Sequence, residues 1–162
     1  MTRQKLYELM VEWVQRVSGP TVPVYRTHQG TSIPTKARCI FVDDNMLWVP
    51  TGLPTLGVSN GTTRDLLHTY RIELNVIEFN GDGEVLRTLQ EDLQTNFTIQ
   101  WCKTNLFSVL SFGRILKVFR EVDDAMWRDY YYATLVILVT SKSTETMTTI
   151  DQVVVEPNWR ST

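Results

Sequence analysis

The chain has 162 residues, 43% of them apolar, with 16 Lys and Arg against 18 Asp and Glu and only two cysteines. A chain this long buries a core of its own, so neither a disulfide framework nor a structural metal is needed to hold it together. A formal net charge of −2, with Lys and Arg scattered singly, excludes a protein that grips nucleic acid through a basic face. The N-terminus alternates charged with apolar residues and reads as no signal peptide, and no run approaches the roughly 20 apolar residues of a membrane span. The expectation is one soluble domain over 1–162, made in the cytoplasm.

Leu6, Leu9, Met10, Trp13, Val14 and Val17 recur at three- and four-residue spacing, the stripe of an amphipathic helix that Ser18-Gly19-Pro20 ends. Val22-Pro23-Val24-Tyr25 reads as a short extended segment. A polar stretch with Gly30 and Pro34 follows, then a strand over Ala37 to Val42. Residues 43–65 are broken by Pro50, Gly52, Pro54, Gly57, Asn60 and Gly61 yet carry Met46, Leu47, Trp48, Leu53, Leu56 and Val58. They read as a long loop that either packs on its own body or binds a partner.

From Leu67 to Phe79 the alternation of Tyr70, Ile72, Leu74 and Val76 gives a long strand. Its phase slip at Val76-Ile77 predicts a bulge that returns Ile77 and Phe79 to the same face. Asn80-Gly81-Asp82-Gly83 is a turn that starts a second amphipathic helix on Val85, Leu86, Leu89, Leu93 and Phe97. Ile99 to Gly113 follows no clean period. The last third reads as strands at Arg114 to Arg120, Trp127 to Thr140 and Met147 to Val155, with turns at Asp123-Asp124 and Ser141-Lys142-Ser143. Connections this short make the strands antiparallel neighbours. The fold class is therefore α+β, a mostly antiparallel sheet with two main amphipathic helices packed against it.

The middle strand of this meander places Trp127, Tyr131, Ala133, Leu135, Ile137 and Val139 on one face and Tyr130, Tyr132, Val136 and Leu138 on the other. A sheet with one wet face alternates apolar with polar, and this strand does not, so both faces need cover. Either the two helices take opposite faces, or both take one face and a second subunit covers part of the other.

Motifs of chemistry are weak. Gly57-Val58-Ser59-Asn60-Gly61 matches the nucleophile-elbow pattern, with Asp65 and His68 behind it, and defines an alternative, a small serine hydrolase. What precedes Ser59 is a Pro- and Gly-broken loop, though, where that chemistry needs a buried strand. Gly81-Asp82-Gly83 lacks the third glycine of a dinucleotide fingerprint, because Leu86 holds its place, and Asp82 or Glu84 there suits an ordinary helix start. His28, His68, Cys39 and Cys102 show none of the paired spacings of a zinc site. No cofactor, metal or catalytic residue is expected.

Taken together, the N-terminal helix, Val22-Pro23-Val24-Tyr25 before a polar segment with Pro34, and the strand Tyr70 to Phe79 with Asn80-Gly81-Asp82-Gly83 and its helix resemble the phage neck and tail terminator proteins. Gly113-Arg114-Ile115-Leu116-Lys117-Val118 through Asp123-Asp124-Ala125-Met126-Trp127-Arg128-Asp129-Tyr130-Tyr131-Tyr132-Ala133, and Ile150-Asp151-Gln152-Val153-Val154-Val155, extend the likeness over most of the chain. Trp127-Arg128-Asp129 stands where that family pairs an aromatic and an acid with an arginine, and the insertion from Asp43 to Asp65 departs from a minimal pattern. The resemblance implies a hexameric ring without catalysis. Such a ring caps the tail tube, ends its growth and joins it to the head connector in the virion, and DNA passes through it without specific binding. A head-tail connector or completion protein of another ring size is the nearest alternative. Interface candidates are Met46, Leu47, Trp48, Leu53, Trp127, Tyr130 and Tyr132. A lumen that lets the duplex slide calls for neutral or acidic side chains, and Glu121, Asp123 and Asp124 are its candidates.

Overall fold

The computed structural model describes residues 1–26, 36–43, 47–59, 63–122 and 126–146. Helix α1 (Arg3–Ser18) is followed by β1 (Val24–Arg26), β2 (Cys39–Val42), β3 (Leu47–Pro50), β4 (Thr55–Ser59) and the long β5 (Thr63–Phe79). Helices α2 (Glu84–Asp92) and α3 (Asn96–Thr104) come next, then β6 (Phe107–Phe112), β7 (Leu116–Val122) and β8 (Met126–Thr146). The expected α+β fold is present, with one eight-stranded sheet as its larger part. Along the sheet the order is β1-β2-β5-β8-β6; β3 and β4 extend the β2 side of β5, and β7 extends the β6 side of β8. All pairs are antiparallel except β1 with β2.

The sheet is built on the ladder between β5 and β8, which runs without a break from Thr63 opposite Thr146 to Phe79 opposite Tyr130. Three expectations are corrected here. No bulge interrupts β5 at Val76-Ile77: Ile72, Leu74 and Val76 face the helices, while Ile77 and Phe79 face the other way, against Tyr132 and Tyr130. Ser141-Lys142-Ser143 is strand rather than turn, because the ladder continues through it opposite His68, Leu67 and Leu66 in turn. Residues 43–65 are not one loop either, since β3 and β4 pair with β5 from Glu73 to Arg64. The expected strand from Met147 to Val155 and the segment with Gly30 and Pro34 lie outside the described residues.

Two causes divide the predicted second helix. Thr95 adopts an extended backbone and its hydroxyl accepts a hydrogen bond from the Thr98 amide, the N-cap of a new helix. Asp92 then ties three helices together through one carboxylate oxygen, which accepts from the Trp13 indole N–H at 2.8 Å, the Thr98 hydroxyl at 2.6 Å and the Arg16 guanidinium at 3.0 Å. Phe97 consequently leaves the core stripe and stacks under Arg16, whose guanidinium carbon is 4.5 Å from the ring centre.

The core answers how the two-faced strand is covered. Leu6, Met10, Trp13 and Val14 of α1, Leu86 and Leu89 of α2 and Cys102 of α3 all pack on Ile40, Val42, Ile72, Leu74, Val76, Ala133, Leu135, Ile137 and Val139. A separate cluster of Cys39, Phe41 and Phe79, with Tyr25, Ile77 and Tyr130 against it, occupies the opposite face, and no helix residue takes part in it among the described residues. The helices therefore share one face. At the end of the sheet Glu78 is fully buried and accepts from Arg38 at 2.8 Å, and Arg38 also reaches Asp82 at 2.8 Å. Gly81 has no room for a side chain there, because a Cβ would collide with the Glu78 carboxylate. No described helix is long and apolar enough to cross a membrane.

Replacing Asp92 by alanine strands the buried Trp13 and Thr98 donors, and the expected loss is about 2–3 kcal/mol in chemical denaturation. Combined with Trp13→Phe the two losses should be less than additive; additive losses would show that the indole does not depend on this carboxylate.

Candidate assembly surfaces

Beyond the helices the sheet continues as an arm of three strands: β4, the first half of β5 (residues 63–69) and the last part of β8 (residues 140–146). Ser, Thr and charged residues dominate both faces of the arm, and its charges are matched across the ladder. Arg64 meets Glu145 at 2.9 Å, and Lys142 meets Asp65 at 2.6 Å. The Lys142 ammonium holds the Asp65 carboxyl below its ordinary value, the hydrogen bond between them outweighing partial desolvation.

The alternative triad is not assembled here. Asp65 and His68 are three residues apart on one strand and so project to opposite faces of β5. His68 Nε2 lies 2.9 Å from Ser143 Oγ, and Asp65 is engaged by Lys142 and by Thr144 at 3.2 Å. The Ser59 backbone pairs with Arg64 at the end of an antiparallel strand rather than on a strand-to-helix elbow. Among the described residues no group of three or more His, Cys, Asp and Glu is arranged to hold a metal. Cys102 backs a small cavity of about 170 Å³ beside Leu93, Ile99 and Phe107, and burial pushes its thiol up to about 11, which makes it a core side chain rather than a nucleophile.

The interface candidates separate into different environments. Trp48 is half-buried, its ring edge-on to Tyr70 with centres 5.4 Å apart and its body against the main core. Leu53 is 96% exposed on the β3–β4 turn, between Gly52 and Pro54, and Leu56 beside it is 69% exposed. Tyr130 and Tyr132 are half-buried on the sheet face opposite the helices, where Phe79 and Tyr130 rings approach to 5.3 Å. Met46, Asp123 and Asp124 lie outside the described residues. The backbones of Leu47, Glu121 and Trp127 are placed in β3, β7 and β8, and their side chains fall outside the description.

Sequence reasoning did not single out Leu106 and Leu110, which are 67% and 53% exposed at the opposite edge of the sheet. Leu106 also has φ +59. It follows the C-cap of α3, a position where glycine or asparagine usually takes the left-handed conformation. A leucine both strained and exposed is uncommon, and the signal was present as a helix-ending Asn105-Leu106 without a glycine. Searches with the sequence find no matching family model and no significant match among curated proteins.

Two results are expected of these residues. Trp48→Ala should lower monomer stability by about 2 kcal/mol in urea titration, a half-buried share of a full core truncation; an unchanged midpoint would remove Trp48 from the core. In an NMR pH titration the Asp65 carboxyl should inflect below the ordinary 3.8, and Lys142→Ala should move it back up. The contribution of this pair to stability is thus complete above the unfolded carboxylate value and is lost as pH falls through the lower folded one. An inflection at 3.8 in both proteins would show no coupling.

Proposed function

We infer that this chain is a structural ring subunit of a tailed-bacteriophage virion, a neck or tail terminator. In this role it caps the tail tube, ends its polymerisation and joins the tail to the head connector, with DNA passing through the ring. The observation that carries the assembly half of this reading is the uneven cover of the sheet. Three helices bury one face, while Tyr25, Ile77, Tyr130, Tyr132, Val136 and Leu138 stay only half-buried on the other. The patch of Tyr25, Ile77, Tyr130 and Tyr132 is set apart from Val136 and Leu138 by the hydrogen-bonded pair Asn75 and Thr134, and Val136 and Leu138 lie opposite Glu73 and Arg71. A half-covered aromatic patch with a mixed polar flank supports a surface presented to a neighbour. The tail half rests on the resemblance of layout to the terminator family, and a net charge of −2 suits a conduit that must not hold phosphates.

A catalytic role has no comparable support, because Asp65 and His68 of the alternative triad lie on opposite faces of one strand and engage other partners. A head-tail connector or completion protein would draw on the same surfaces and differ in ring number.

Light scattering of the purified protein, alone and with isolated tail tubes, tests the reading. The expected particle is a multiple of 18.8 kDa, six copies for a terminator, formed in solution or on the tube end, and added protein should stop tube growth in vitro. A ring of a different number that binds connectors and leaves tube length unregulated would move the assignment to a completion protein. A chain that stays monomeric in the presence of both tubes and connectors would overturn it.

A further inference from the structure

Resting on that ring reading, we propose that neighbouring copies meet head to tail, with Leu53 of one copy seated in a notch at the opposite edge of the next. The knob is the β3–β4 turn, Thr51-Gly52-Leu53-Pro54, whose leucine projects into solvent. The turn is held rigidly, since the Thr51 amide and hydroxyl both donate to the Thr69 carbonyl, at 3.0 and 3.1 Å, and Pro54 restricts its backbone.

The notch lies where the sheet steps. β6 begins at Phe107, opposite Val139, while β8 runs on to Thr146, and past that step the outer edge of β8 has no strand beside it among the described residues. The recess has a volume of about 440 Å³. It is lined by Thr69, Leu138 and Thr140 of the two long strands and by Lys103, Leu106, Phe107 and Ser108 from the end of α3 and the start of β6. Leu106 is the residue with φ +59, and a strained backbone that keeps a leucine exposed at the mouth of a recess points to a function for that side chain.

Three observations select a second copy as the occupant. Knob and notch stand at the same height on opposite edges of one sheet: Thr69, whose carbonyl anchors the knob, pairs with Thr140, and both line the notch. A sideways step from copy to copy therefore brings one to the other. The edge strands β3, β4 and β6 contain no charged residue, although edges of solitary sheets are usually guarded by charge. The exposed apolar residues are few, Val49, Leu53 and Leu56 on one edge and Leu106 and Leu110 on the other, against the roughly 20–30 residues a side of a lasting pairwise complex. An isolated dimer is therefore weak, whereas a closed ring, in which each copy makes the contact on both sides, is not. Two different surfaces in contact make the association heterologous, the type that gives a ring when its rotation closes.

The test traps the contact covalently. Leu53→Cys with Leu106→Cys in one chain should give, on oxidation, a ladder of 18.8 kDa steps. Wild type should not, since Cys39 and Cys102 are buried, and nor should Leu53→Cys with Glu12→Cys on the helix side. Two half-dead variants sharpen this. Leu53→Asp with Leu106→Cys, and Leu53→Cys with Leu106→Asp, should each give no product alone and covalent dimers, never longer species, when mixed. Leu106→Gly should raise the melting temperature and reduce assembly at least tenfold, which separates the contact from folding. Assembly of wild type with no ladder from Leu53→Cys/Leu106→Cys, or no dimer from the mixture, or full assembly by Leu106→Gly, overturns the contact and leaves the ring reading standing. Wild type that never assembles on tubes or connectors overturns both.

Discussion

The unbroken ladder between β5 and β8 is the constraint on which the rest of the molecule depends. Seventeen consecutive pairs fix which side chains share a face, because a slip of one residue would exchange the faces along the whole length. With the register set, Ile72, Leu74 and Val76 must lie beside Ile137, Leu135 and Ala133, and α1, α2 and α3 are drawn to that side. The same register carries both strands past the last helix. The arm, the β3–β4 turn and the step beside Leu138 are thereby placed by backbone pairing rather than by a core of their own.

Cover on one face only is then a consequence of how the helices are joined. Asp92 gathers Trp13, Arg16 and Thr98 at one carboxylate oxygen, so α1 and α3 cannot separate across the sheet without stranding a buried indole N–H and a buried hydroxyl. At the far end Arg38 and Glu78 clamp the turn that starts α2, and Gly83, at φ +79, lies against the Tyr131 ring. Both polar junctions hold the helices to the same side. The cluster of Phe41, Phe79 and Tyr130 on the other side is left to aromatic contacts among strands, with Phe41 and Phe79 edge to face at 5.5 Å.

Much of this was legible where burial imposes a period. The α1 stripe, both faces of β8 and the turn at Asn80 to Gly83 follow directly from apolar spacing and turn chemistry. The arm was not legible, because Thr63, Arg64, Asp65, Ser141, Lys142 and Ser143 are solvated on both sides and show no alternation, so its second strand resembles a turn. The bulge predicted at Val76-Ile77 came from reading two adjacent apolar residues as a phase error. In a strand apolar on both faces they are simply neighbours that point in opposite directions. The break between α2 and α3 carries neither glycine nor proline, and only the capping hydroxyl of Thr95 marks it. Of the proposed contact, Leu53 was visible as an apolar residue in a turn. Leu106 was hidden in a segment without a clean period.

Charge distribution connects these surfaces to the proposed assembly. The arm pairs its own ions across the ladder, so bringing it near a neighbour desolvates matched pairs instead of isolated charges, which limits the penalty of association. Edge strands β3, β4 and β6 go further and carry no ions at all, unlike β1 and β7, which in a free monomer is a liability for open-ended growth. Pro50 at the end of β3 and the register shift between Val109 and Ser111 in β6 oppose continuous strand pairing there. What remains available at each edge is therefore a side-chain contact between one turn and one recess. A contact of that kind repeats with a fixed rotation, and the proposed ring requires that this rotation close after a whole number of copies, since a rotation that does not close gives an open helical filament.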